Sequence, residues 1–250
     1  MKKASLLVFV VTLLTHGAAY SATSDITLLT SQEGADGLQT YSVSLQILLF
    51  MSMLSMLPAA MMAMTSFTRI VIVLAILRQA LGMMQTPSNQ IIIGIALFTT
   101  IFIMSPVFES SFENGIKPYM DEAIDFDSAL EETRSPFHGF MTGQVRDSDV
   151  ALFSEMAGYE SFDSIADIPF RVLVPAFITS ELKTAFQIGF LIFIPFLVID
   201  LVVSSTLMSM GMMMLSPMLI SLPFKIMLFV MVDGWTLVIG TLAASFFVAQ

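Results

Sequence analysis

AFQIGFLIFIPFLVIDLVVSSTL, Ala185 to Leu207, carries a single charge, Asp200, over 23 residues. About 20 predominantly apolar residues cross a bilayer as a helix, so this stretch predicts a membrane span. Working outward, Met218–Phe247 is a second such stretch, long enough to tilt or to break at Asp233-Gly234. Leu45–Met64 and Ile91–Val107 are two more toward the amino terminus. Phe67–Gln85, between those two, is equally apolar but interrupted by Arg69 and Arg78. The expected fold class is an all-α membrane protein, built of helical hairpins of apolar helices with one exported, mostly helical acidic insert.

Composition agrees. The 250 residues have a mean hydropathy of +0.86 and only 12% charged residues, about half the usual share of a soluble domain. There is no cysteine, which excludes disulfides, thiolate metal sites and cysteine nucleophiles. A net charge of -10 argues against nucleic acid as a partner, because that needs a basic stripe.

The expected division runs as follows. Residues 1–21 are a cleaved signal peptide: Lys2 and Lys3, an apolar core Leu6–Leu14, and small residues ending in Ala19-Tyr20-Ser21. Residues 22–42 are a polar exported tail. Residues 43–107 form a first apolar helical region. Residues 108–170 are an acidic periplasmic insert with fourteen acids against Lys117, Arg134 and Arg146. Residues 171–250 form a second apolar hairpin with a methionine-rich loop. No internal repeat is present. With a cleaved signal, Arg69, Arg78 and Lys225 fall toward the inner face and the insert outside, in accord with the positive-inside rule.

Within the insert, Phe108, Phe112, Ile116, Tyr119, Met120 and Ile124 recur at helical spacing, so the second span continues outward until Pro118 bends or breaks it. Asp149–Ala157 predicts a short helix capped by Ser148 and stopped by Gly158.

Enzyme chemistry finds no purchase. After signal removal the one histidine is His138, read as a surface-loop residue without a ligand pair or triad partner. No glycine-rich phosphate loop is present. Asp200 and Asp233 as an intramembrane aspartyl protease fail on the local motif, since Val232-Asp233-Gly234-Trp235 lacks the glycine pattern of such enzymes. No metal site and no cofactor is expected. Arg69, Arg78, Asp200 and Asp233 are candidate buried charges, and Glu181 and Lys225 a candidate structural or intersubunit charge pair, because charges in apolar surroundings are expected to pair.

Of the 21 methionines, six lie in Met51–Met64 and six in Met208–Met218. The first group reads as helix packing. The second is bracketed by Gly211 and Pro217, which loosen a helix. Soft unbranched side chains there can gate a pore by excluding water, fill a core, or bind Cu(I) through thioether sulfur. A Cu(I) or small-solute membrane transporter is the alternative function.

Several motifs then point to a family. Phe67-Thr68-Arg69-Ile70-Val71-Ile72-Val73-Leu74, Leu77-Arg78-Gln79-Ala80-Leu81-Gly82, Gln85-Thr86-Pro87-Ser88-Asn89-Gln90, Ser180-Glu181-Leu182-Lys183, Pro195-Phe196-Leu197-Val198-Ile199-Asp200, Gly211-Met212-Met213-Met214 and Leu222-Pro223-Phe224-Lys225 resemble the P/R-subunit family of type III secretion export gates, in its flagellar FliP branch. Ser88 departs from the second proline common in that family. The resemblance implies an inner-membrane, multi-pass, non-enzymatic component of the flagellar basal body. It implies several copies, five by family habit, assembled with Q and R subunits, other export-apparatus proteins and membrane lipid. It also implies a pore gate at Met210, Met212, Met213 and Met214.

Overall fold

A computed structural model describes residues 42–83, 85–159, 162, 164–212 and 215–247. The expected signal peptide and nearly all of the polar tail lie outside these residues, as do Met213 and Met214. All regular structure in the described residues is helical.

Helix α1, Ser42–Ala63, is apolar on every side. Its described large side chains, Met51, Met53 and Met56 among them, are exposed in the isolated chain. Met64, just past its end, packs against the core around Met141 and Phe177; a helix that is hydrophobic all round takes lipid or a partner chain as its surroundings.

Helix α2, Phe67–Ala80, buries Ile70, Val73, Leu74 and Leu77 along one stripe. It ends at Gly82, whose φ of 77° lets the Gly82 amide donate to the Gln79 carbonyl and that of Met83 to Arg78. This paired closure satisfies carbonyls that the helix end would leave open. Helix α3, Asn89–Ser111, runs back and widens into a π turn at Phe112–Ile116 before α4, Lys117–Met120. The helix of the second expected span therefore continues past Val107 into the insert, as one 32-residue rod from Asn89 to Met120. The widening sits just ahead of Pro118, which lacks an amide donor and crowds the preceding turn.

The insert supplies α5, Phe126–Gln144, and α6, Asp147–Met156. α6 thus starts two residues before the expected Asp149. His138 is not a loop residue: it sits inside α5, half-buried, with Nε2 2.8 Å from the Ile168 carbonyl and its ring against Phe170.

Helix α7, Phe170–Ser209, is unbroken over 40 residues. At 1.5 Å per residue it is about 60 Å long, twice the hydrocarbon thickness of a bilayer. Its first turns, ahead of the expected span, belong to the insert layer: Val172, Leu173 and Phe177 form a core with Met141 and Ile168. Helix α8, Pro217–Met231, returns along α7, and α9, Gly234–Phe247, follows at a 63° bend, so the expected break at Asp233-Gly234 is real.

α2 lies parallel to α7: Arg69 meets Glu181, and Ile76 meets Gly189. The main apolar core fills the space between α2, α3, α7, α8 and α9. This arrangement overturns the expected placement of Arg69 on the face opposite the insert, because Arg69 donates to Gln144 of α5. α2 is not a turn at the inner face but a rod running beside α7. Arg69 and Arg78 are about 14 Å apart along it.

Candidate functional site

The α7–α8 turn holds the methionine cluster. α7 closes as α2 does: Gly211, at φ 76°, donates to the Met208 carbonyl and Met212 to that of Leu207, both at 3.0 Å. Only a residue that tolerates the left-handed region makes this closure without strain. The side chains of Met210 and Met212 are 71% and 43% exposed, and Met208 and Met218 also project. Pro217 then opens α8 at a first-turn position, where its missing amide costs nothing. The α2–α3 turn lies alongside, with Gly82 close to Met218 and Leu222.

A charged brace stands behind this end. Lys225 Nζ, 3% exposed, donates to Asp200 Oδ2 at 2.6 Å and to the Ala80 carbonyl at 3.0 Å. Ser221 Oγ donates to the other Asp200 oxygen at 2.6 Å. One ammonium therefore ties α8 to α7 and to the carboxyl end of α2, where a cation also meets the helix dipole favourably. Asp200, 36% exposed, faces a cleft of about 860 Å³ that Arg78, Phe193, Ser204 and Met218 also line. Arg78 Nη1 donates to the Pro87 carbonyl at 3.2 Å and to Asn89 Oδ1 at 2.7 Å, pinning the α2–α3 turn.

A second polar cluster lies about 28 Å along α7, at Glu181. Arg69 Nε donates to Glu181 Oε2 at 2.8 Å, and Nη2 donates to Oε1. Nη1 reaches Ser245 Oγ and Nη2 reaches Gln144 Oε1, each at 3.0 Å. The guanidinium carbon lies 3.8 Å from the centre of the Phe246 ring. Glu181 is fully buried. The bidentate pair satisfies both ions and joins α2, α5, α7 and α9 at one point.

A third cluster fastens α6 to α7. Asp149, buried, accepts from Ser180 Oγ at 2.7 Å and from Lys183. Arg146 donates from its amide to Ser180 Oγ, and from Nη2 to Thr184 and Gln187. Burial alone pushes the Asp149 carboxyl up. The hydrogen bonds from Lys183 and Ser180 and the charges of Lys183 and Arg146 outweigh it and hold the group below its ordinary value. Sequence reasoning missed this cluster. Its signal is the polar stripe Ser180, Lys183, Thr184, Gln187 on one face of α7.

Glu181 and Lys225 are thus not each other's partners within the chain: Glu181 is held by Arg69 and Lys225 by Asp200. Of the expected buried charges, only Arg69 is fully so. Arg78 and Asp200 are half-buried, and Asp233 is exposed at the α8–α9 break, where its φ of 50° reverses the backbone. Among the described residues no three acid, histidine or cysteine side chains gather in a group that could hold a metal ion.

Comparison with known proteins places this arrangement. The FliP family profile matches residues 50–242. The flagellar biosynthetic protein FliP of Buchnera aphidicola from Acyrthosiphon pisum is 54% identical over 226 residues, covering 90% of this chain. The chain spans 60% of that relative's length. The FliP proteins of Pectobacterium carotovorum and Bacillus subtilis are each 50% identical, over 88% and 83% of this chain and 85% and 94% of their own. With half its residues shared and the profile covering most of its length, the chain belongs to the FliP family of flagellar type III secretion export-gate components.

Proposed function

We propose that this chain is a core subunit of the flagellar export gate. In this reading several copies, five by family resemblance, assemble with Q and R subunits in the inner membrane. Together they form the channel through which unfolded flagellar proteins leave the cytoplasm. The chain carries no catalytic step: other subunits supply the energy from ATP and the proton motive force, and this one shapes the path. Met210, Met212, Met213 and Met214 seal the channel at rest and close around a passing chain.

The observation that carries the reading is the α7–α8 turn: a hairpin end whose unbranched apolar side chains project outward, on a backbone held firm by the Lys225–Asp200 brace. Thioethers repack around objects of different shape. A constriction lined by them excludes water, and therefore ions, until something fills it.

The test is to replace Met210, Met212, Met213 and Met214 together by alanine and to measure ion leak across membranes holding the assembled complex. An increased leak is expected. Unchanged leak in a complex that still secretes would refute the seal. Stoichiometric copper in the purified protein, lost in the same variant, would transfer the cluster to the transporter reading.

A further inference from the structure

Asp233 stands out among the charges of the apolar half. It makes no side-chain hydrogen bond or ion pair among the described residues, and its neighbours Val230, Met231 and Val232 are large, apolar and exposed. Val232 and Gly234, on either side of it, line a small apolar cavity with Ile192, Pro195 and Phe196 of α7, so the carboxylate sits level with the apolar middle of that helix. An acid at such a level is costly without a cation beside it. The elbow that presents it is preformed. The Phe229 ring occupies the space a Gly234 Cβ would need, 2.2 Å away, and Trp235 packs edge-on against the same ring.

The complementary feature is on the same molecule. The cleft between α2, α7 and α8 is walled by Ile72, Ile76, Phe193 and Met218 and contains Arg78, Lys225 and Asp200, one positive charge in excess. Lys225 and Asp200 neutralise each other, and the neutral groups Pro87 and Asn89 occupy only one nitrogen of Arg78. The cleft lies beside Phe193 and Asp200, the same level of α7 as the elbow, but on a neighbouring stripe of that helix. The described residues of one chain leave this cleft open.

We infer that the α8–α9 elbow of one copy docks into the Arg78 cleft of a second copy, with Asp233 giving Arg78 its missing carboxylate. This rests on the multi-copy reading above and names the surface by which copies meet. An apolar knob with one acid matches an apolar socket whose Arg78 guanidinium has no carboxylate partner among the described residues. A phospholipid in the cleft would satisfy Arg78 and leave Asp233 unpaired, whereas a second copy satisfies both. Because knob and socket are different patches, the contact is head-to-tail and generates a ring or a helical stack rather than a closed pair.

The sequence has no cysteine, so single cysteines report cleanly. Copies carrying V232C under one affinity tag are coexpressed with copies carrying Q79C under another, both at exposed positions, and treated with a short bismaleimide. Crosslinks between the two tags are expected, and none when both populations carry V232C. Tag-to-tag linkage through V232C alone would show a symmetric contact and overturn the proposal. So would absence of linkage in a complex whose mass in detergent still shows several copies. A mass of one copy would instead remove the multi-copy reading itself. Protection of Q79C from a water-soluble maleimide in single copies held in anionic vesicles, without linkage, would assign the cleft to lipid. Charge provides the second arm. D233N, which suits the left-handed backbone, and R78Q should each lower the assembled fraction about tenfold by leaving one charge unpaired. Their combination should recover most of it. Additive losses would overturn the pairing.

Discussion

The two ends of α7 are held by different means. At the insert end, four helices converge on Arg69–Glu181, a fifth is clamped through Asp149, and Leu173, Phe177 and Met141 are fully enclosed. At the methionine end one ammonium braces the hairpin, and nearly every large side chain beyond it is exposed. The lesson is that this fold is complete in itself at one end and requires surroundings at the other. Substitutions should therefore damage folding at the insert end and assembly or sealing at the methionine end.

The largest effect is expected from Glu181→Ala. It leaves a buried guanidinium without its counter-ion, which costs about 3–5 kcal/mol. Thermal unfolding of the purified protein in detergent should register the loss. The double variant Arg69→Met with Glu181→Leu should restore most of it, since an apolar pair of similar volume removes both charges. A wild-type melting temperature in Glu181→Ala would break the contrast between the ends.

Next come two glycines kept for opposite reasons. A Cβ at Gly115, in the π turn, would lie 2.7 Å from the Thr133 amide nitrogen and 2.9 Å from the Ala129 carbonyl oxygen. Those are backbone atoms that cannot step aside, so Gly115→Ala should cost about 1–3 kcal/mol. A Cβ at Gly211 meets nothing within 4 Å, and only its φ of 76° resists. Gly211→Ala should then cost about 1 kcal/mol. Chemical denaturation of the two variants side by side ranks them; equal costs would mean that crowding does not separate the ends.

The sequence already showed where apolar runs begin and end, and the break at Asp233-Gly234, because these depend on local composition and on a backbone reversal next to glycine. It did not show what each charge meets. Arg69 and Glu181 are 112 positions apart, and their pairing follows from α2 lying parallel to α7, which no periodicity encodes. The same tertiary fact undid the placement of Arg69 opposite the insert. The start of α7 was missed because Arg171, Glu181 and Lys183 interrupt the apolar run, whereas Glu181 pairs with Arg69 and Lys183 with Asp149 on a helix that begins in the insert layer. The methionine turn was legible through Gly211 and Pro217, and its neighbours were not.

A smaller effect is expected with acid. Asp149 is held below its ordinary value when folded, so the unfolded chain binds its proton more readily. Its contribution is complete above about pH 4 and is lost as pH falls through the lower folded value. Protease resistance of α6, compared between wild type and Asp149→Asn, should differ at neutral pH and converge in strong acid. A difference that grows on acidification would have the wrong sign and would sink the assignment.

The smallest effect on stability belongs to Met210. Its side chain is 71% exposed, so Met210→Ala removes little burial and should change unfolding by less than about 0.5 kcal/mol. Met210→Leu tests something the alanine variant does not. Leucine keeps the apolar character but is branched, with fewer rotatable bonds, and so repacks less freely. If hydrophobicity alone seals the turn, Leu should match Met in resting ion leak and Ala should not. If adaptability matters as well, Leu should match Met at rest but leak while a substrate is stalled in the channel. An exposed residue would then carry a large functional effect with almost no energetic one, while Glu181, wholly enclosed at the other end, shows the reverse. Should Met210→Ala instead unfold the protein, the methionine end would have a core of its own, and the contrast between the two ends of α7 would collapse.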